Sequence, residues 1–173
     1  LLRSGGWGYS VRGITEKEAV NLFSVRRALE KQAILETIPL VNKVLLETLT
    51  VLIQEQERLI VEDKTQAFRE KSREFHIVII AASQNEALRK ILFSIDDQVR
   101  LIGAIIHGAN SSRAREVLLE NKKIYSALKS RNVINAVNAV DEHLARAMQV
   151  AVQKISDQAT HLEINQYRSA VNN

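Results

Sequence analysis

The sequence has no cysteine, and its only proline is Pro39. The first absence excludes disulfides, thiolate nucleophiles and cysteine-held zinc, and it suits a reducing compartment. Only two glycines, Gly103 and Gly108, follow residue 13. With proline and glycine so scarce, little interrupts a helix once it has started. Long apolar runs are missing too: Ile-Val-Ile-Ile-Ala-Ala at 77–82 is far below membrane-spanning length. No apolar segment near the first residues has the form of a secretory signal. No strong excess of one charge is present either. The chain carries 24 basic against 20 acidic residues, net +4, which falls well short of a DNA-binding surface in itself.

Catalytic signatures are also lacking. There is no His-Glu-x-x-His, no phosphate-binding loop, no paired Glu-x-x-His and no spacing that favours a Ser-His-Asp arrangement. Gly6-x-Gly8 has valine at position 11 where a dinucleotide fingerprint needs glycine, and no strand precedes it. A non-enzymatic protein is therefore expected.

What the sequence does hold is helical periodicity. At 173 residues, 46% hydrophobic and 25% charged, it suits one soluble domain able to bury a full core. Thr15 and Glu18 form a capping box that opens a first helix, which Pro39 ends. Its apolar positions (Ala19, Leu22, Phe23, Val25, Leu29, Ala33, Ile34) cover most of the circumference. A second helix is predicted over 41–61, with Val44, Leu45, Leu49, Leu52 and Ile53 in its stripe. A third covers 64–82, with a break at 83–85. A fourth covers 86–106 with Leu88, Ile91, Leu92, Ile95, Val99 and Ile102 in phase. Residues 107–112 read as a loop. A fifth helix covers 113–129, a sixth reaches about 156, and a polar tail spans 159–173. The predicted fold class is all-α, an antiparallel bundle of six to seven helices.

In such a bundle the informative residues are polar ones inside apolar stripes. Ser72 and His76 share a face with Phe68, Phe75 and Ile79 on the third helix. Asn121 lies amid Val117, Leu118, Ile124, Tyr125 and Leu128 on the fifth. His143 is flanked by Ala136, Ala139, Val140, Ala147 and Val150 on the sixth, small neighbours that leave room around an imidazole. Arg26 and Glu30 are one turn apart on the first helix. On the fourth, Asp96, Arg100, Gly103 and His107 follow one line. Each histidine is readable as a core residue or as part of a site. Each acid–arginine pair is readable as an ordinary i,i+4 contact.

These residues give the sequence its resemblance to the FCD-type effector-binding domain of GntR-family bacterial transcriptional regulators, over nearly the whole chain. Arg26, Leu29 and Glu30 resemble the family's first-helix element. Phe75, His76, Ser83, Asn85 and Leu88 are similar to its Phe-His element and the turn after it. Ala127, Leu128, His143 and Leu144 are similar to its Ala-Leu and His-Leu elements. Each element is loose alone; their order and spacing together are specific.

The resemblance implies a divalent cation in many members, held by an Asp one turn before the first His and by two further His. Here only His76 and His143 carry over as metal ligands; Ser72 stands at the Asp position and Asn121 at the middle His. A hydroxyl and an amide are poor ligands for zinc or similar cations, so the set is incomplete. Ser72, His76, Asn121 and His143 are expected instead to form a hydrogen-bonding cluster for a polar effector. Arg26 is either the anchor for an anionic effector or the partner of Glu30, and Arg100 is a second candidate anchor.

The resemblance further implies a cytoplasmic homodimer, without membrane association, that senses a small organic acid and controls operator DNA through a separate winged-helix domain. The metal-dependent form of that sensor and a ligandless helical interaction bundle are the alternatives. Residues 14–158 would be the sensing domain. The glycine-rich opening Leu-Leu-Arg-Ser-Gly-Gly-Trp-Gly-Tyr-Ser-Val-Arg-Gly, residues 1–13, would be the end of a winged-helix wing and its linker, the rest of that domain being absent. Residue 1 is leucine and the sole methionine is Met148, so a longer natural chain is expected.

Overall fold

The computed structural model describes residues 2–3, 9–10, 13–107 and 111–171, with side chains described over 13–106 and 112–160. Two short strands, β1 (Leu2–Arg3) and β2 (Tyr9–Ser10), pair antiparallel, with Leu2 opposite Ser10 and Arg3 opposite Tyr9. The glycines read as wing residues, Gly5, Gly6 and Gly8, lie outside the described residues.

Seven helices follow among the described residues. Helix α1 (Glu16–Thr37) opens on the capping box: Thr15 accepts from the Glu18 backbone, and the Glu18 side chain accepts from the Thr15 backbone. A single 3-10 turn (Ile38–Leu40) carries Pro39 at its start and swings the chain into α2 (Lys43–Val61), whose N-cap is Asn42. Helix α3 (Thr65–Ala82) is followed by α4 (Glu86–Ser94), α5 (Asp96–His107), α6 (Ser111–Lys129) and α7 (Val133–Val171).

Among the described residues three turns use a left-handed residue without glycine: Asp63 (φ 54°), Gln84 (φ 58°) and Arg131 (φ 52°) each follow a helix. After Asp63 and Arg131 the next amide reaches back to the last helical turn: Lys64 N–H to the Leu59 carbonyl, Asn132 N–H to the Ala127 carbonyl. That closure satisfies helix-end carbonyls which would otherwise lack donors.

Three sequence expectations change. The predicted fourth helix is two, α4 and α5, broken at Ile95. Ile95 has neither proline nor glycine beside it, so local signals do not mark the break. The loop predicted at 107–112 is shorter, because His107 ends α5 and Ser111 begins α6. The backbone of α7 continues as helix through the expected polar tail, to Val171.

Helix α1 packs most extensively on α7 and also meets α3 and α4, while α2 packs on α3 and α6. Helix α5 lies across α3, α6 and α7. The main core joins Phe23, Leu49, Phe68, Phe75, Ile124, Leu128 and Leu144. A smaller cluster of Ala33, Ile80, Leu88 and Leu92 holds α4 against α1 and α3. The stripes fall mainly where periodicity put them, but Val25, Val44 and Ile91 are exposed at their edges. At the surface, Arg27 grips both oxygens of Asp141 (2.9 and 2.7 Å), tying α1 to α7. No described helix is long and apolar enough to cross a membrane.

Candidate functional site: a basic cavity around two stacked histidines

Helical spacing turns Ser72, Phe75, His76 and Ile79 of α3 inward, and all four are buried. On α7 the small residues Ala136, Val140, Ala147 and Ala151 bring that helix close while leaving His143 room to reach α3. The His76 and His143 rings stack there, centroids 4.8 Å apart and planes at 21°. Phe75 sets the orientation of His76 from one side, edge-on at 5.6 Å.

Each imidazole is held by a buried or half-buried carboxylate, itself held by an arginine. Nδ1–H of His76 donates to Glu30 Oε2 (3.0 Å), whose other oxygen accepts from Arg26 Nη2 (2.7 Å) and Nε (3.0 Å). Nδ1–H of His143 donates to Glu120 Oε2 (2.7 Å), and Arg113 grips Glu120 at 2.7 and 3.0 Å. Burial by itself raises the Glu30 carboxyl, but the Arg26 charge and the His76 contact outweigh it and hold the acid well below the usual carboxylate range. Glu120 follows the same balance: desolvation opposes ionisation, and the hydrogen bonds from His143 and Arg113 overcome it. Loss of solvent dominates at His143, pushing its pKa down to about 4 despite Glu120. The ring is therefore neutral at pH 7, with its proton on Nδ1.

These rings line a cavity of about 300 Å³ enclosed by α1, α3, α4, α5, α6 and α7. Its charged wall is unequal: Arg26, Arg69, Arg73, Arg89, Arg100 and Arg113 face Glu30, Glu70 and Asp96. Asp96 does not pair with Arg100 along α5, as i,i+4 spacing suggests. It accepts from Arg73 of α3 instead. Arg100 stands half-exposed at the rim and makes a long contact to Glu70, 3.5 Å. Gly103 lines the wall, and a Cβ placed there would meet nothing within 4 Å.

Of the sequence candidates, Arg26, Ser72, His76, Arg100 and His143 line this cavity. Asn121 does not. It is fully buried behind Ser72, donating from Nδ2 to Ser72 Oγ (3.1 Å) and to Gln56 Oε1 (2.8 Å). Arg113, Glu120 and Gln56 were not singled out by sequence. For Arg113 a signal existed: Glu116 and Glu120 follow it at i+3 and i+7 on one face, and it contacts both. Gln56 had no such signal, because its partner lies 65 residues away.

The residues do not fit a resident metal. The two imidazoles have neutral nitrogens to offer, and the remaining positions hold a hydroxyl and an amide already bonded to each other. Among the described residues, no group of three His, Cys, Asp or Glu side chains is placed to hold a metal ion.

A sequence model of the FCD domain family matches residues 21–146. Two solved structures share the fold. E. coli McbR/YncC matches with a TM-score of 0.73 at 16% identity, over 84% of this chain and 73% of that one. The metal-free FCD domain of TM0439, itself a candidate transcriptional regulator, matches with a TM-score of 0.67 at 18% identity, over 84% and 99%. No curated protein matches the sequence.

Proposed function

The chain belongs to the FCD domain family, and on that premise we propose that residues 14–158 are the effector-sensing and dimerising domain of a GntR-type transcription regulator. Its ligand is a small organic acid, taken into the arginine-rich cavity beside the stacked histidines. The domain acts by binding and not by catalysis. Two copies pair in the cytoplasm, and each positions a winged-helix domain on one half of a two-fold operator. The hairpin of β1 and β2 is the closing part of that DNA-binding domain's wing. The ligand shifts the pair between two arrangements only by its differential affinity for them.

The observation that carries this reading is the cavity itself. Arginines outnumber acids on its wall two to one, and Arg89 Nε and Arg113 Nε are buried without a partner. A ligandless bundle would gain by filling such a space with apolar side chains. Arginines with a free Nε donor suit an anion placed between helices.

A thermal-shift screen of organic acids, sugar acids and amino acids tests the reading. A ligand at a hundred times its dissociation constant adds about 2.7 kcal/mol of stability. A melting temperature that no acid raises would sink the sensing role and leave the interaction bundle.

A further inference from the structure

Between Leu92 and Ile102 no residue is fully buried. Ile95 and Val99 half-bury against the core, while Phe93, Ser94, Asp97, Gln98 and Leu101 are exposed. This stretch holds the break between α4 and α5, and it forms one side of the cavity through Phe93, Asp96, Val99 and Arg100. Apolar burial, the main force that fixes a helix on its neighbours, is weak here and returns only at Ile102 and Ile106. Charges do the fastening instead. Glu70 and Arg73 of α3 meet Arg100 and Asp96 of α5, acid facing base in both pairs. Arg73 holds both oxygens of Asp96, with Nε to Oδ1 at 2.7 Å, and the two side chains are 28% and 21% exposed. Arg100 reaches Glu70 at 3.5 Å, where the side chains are 53% and 49% exposed. Only the first pair has the forked geometry and the shelter of a strong one.

Resting on the reading that the cavity takes an anionic ligand, we infer that residues 93–101 are a strap across its entrance and that the Arg73–Asp96 pair is the latch of that strap. Burial anchors the strap at each end, at Leu92 and Ile102, so its middle lifts without unpacking the rest of α4 or α5. Lifting breaks one forked ion pair and one long contact, and it exposes two half-buried side chains. That is a small local opening beside the unfolding of a helix buried along its whole length. An anion arriving at the mouth offers Arg73 the same kind of group that Asp96 presents, so it takes the place of Asp96 and frees α5 as it enters. Half-exposed Arg100 gives the anion its first contact. When the anion moves inward, Asp96 recovers its partner and the strap shuts. A fixed wall would gain by closing this seam with apolar side chains, as α5 does one turn later at Ile102 and Ile106.

Amide hydrogen exchange, read by NMR on the unmodified chain without ligand, tests the latch. The amides of Val99, Arg100 and Leu101 should exchange about fivefold faster in about 0.5 M than in about 0.02 M sodium chloride, while those of Ile79 and Ile106 keep their rates. Asp96→Asn should reach the faster rate at low salt and lose the salt response. Adding Arg73→Gln to it should change nothing further, because one pair is already gone. Rates that ignore both salt and Asp96→Asn overturn the latch, and additive effects of the two substitutions show that the side chains act apart. Stopped-flow binding of an acid found in the thermal-shift screen tests the entrance. Dissociation is the telling readout. A freed Arg73 that merely attracted the anion would slow it, whereas an unlatched strap should speed it about fivefold in Asp96→Asn. Dissociation that is unchanged or slower overturns the strap as the way in. Binding by no acid overturns the ligand reading and the entrance with it, and the exchange rates still decide the latch.

Discussion

The ring of His76 lies stacked on the ring of His143, 4.8 Å between centroids, and each points its Nδ1 away toward a different carboxylate. The stack is where two similar chains of contacts meet. Arg26, Glu30 and His76 run from α1 to α3, and Arg113, Glu120 and His143 run from α6 to α7. Neutral rings tolerate this contact; two imidazolium ions would repel across it.

Acid should therefore weaken the fold in a window set by His143. Its folded pKa is about 4 against 6.5 for the free side chain. Between those values the unfolded chain binds the proton and the folded chain does not, so stability falls as pH drops from about 6.5 toward 4. The full loss from this group is roughly 3 kcal/mol. Glu120 is lowered instead, so its contribution stands above the ordinary carboxylate range and is lost only at lower pH. Urea denaturation at pH 7.5, 6 and 5 should show the decline in the parent chain and a flatter response in His143→Gln. Equal slopes in the two proteins would assign the acid sensitivity to other groups.

Arg113 should matter more to stability than any cavity residue named from the sequence. Its side chain is buried, and it alone clamps both oxygens of Glu120. Removing it leaves Glu120 half-buried with only His143 opposite. Breaking a buried pair from one side costs about 3 kcal/mol. Arg113→Met should show that loss in chemical denaturation, and adding Glu120→Gln should restore part of it. A single variant within about 0.5 kcal/mol of the parent would contradict the clamp.

The contrast between Arg113 and His76 shows what the sequence could reveal. Inward faces follow from a 3.6-residue period, so Ser72, His76, Asn121 and His143 were legible as buried. The capping box at Thr15 was legible because both partners lie three residues apart. Partners across helices depend on crossing angles and rotations that no local pattern encodes. Arg73 therefore takes Asp96 from 23 residues away, while the i,i+4 neighbour Arg100 stays at the rim. Gln56 reaching Asn121 is the same case. The break at Ile95 is set by packing as well, since α4 docks on α1 while α5 turns across α7.

Restoring the ligand types that Ser72 and Asn121 replace should create a metal site. Ser72 stands one turn before His76, and Asn121 Nδ2 lies 3.1 Å from the Ser72 oxygen, so the two positions adjoin. Ser72→Asp with Asn121→His would supply a carboxylate and a third imidazole. Zinc at a hundred times its dissociation constant should then stabilise the double variant by about 2.7 kcal/mol, reversibly with chelator. The parent chain should respond far less. A parent that gains as much as the variant would mean that two imidazoles suffice.

Gly103 offers a way to close the cavity without disturbing the polar chains around it. It lies in α5, where glycine is the poorest helix former after proline, and the space beyond its Cα is open. Gly103→Ala should stabilise the chain by about 1 kcal/mol. Gly103→Leu should keep most of that gain while its side chain occupies space the ligand needs. Urea denaturation reads the first effect, and a thermal shift with the acid that binds the parent reads the second. A Leu variant that is stable yet still binds as the parent does would place the ligand elsewhere. One that loses both stability and binding would mean that α5 packs more closely on α3 and α7 than the open space at Gly103 indicates.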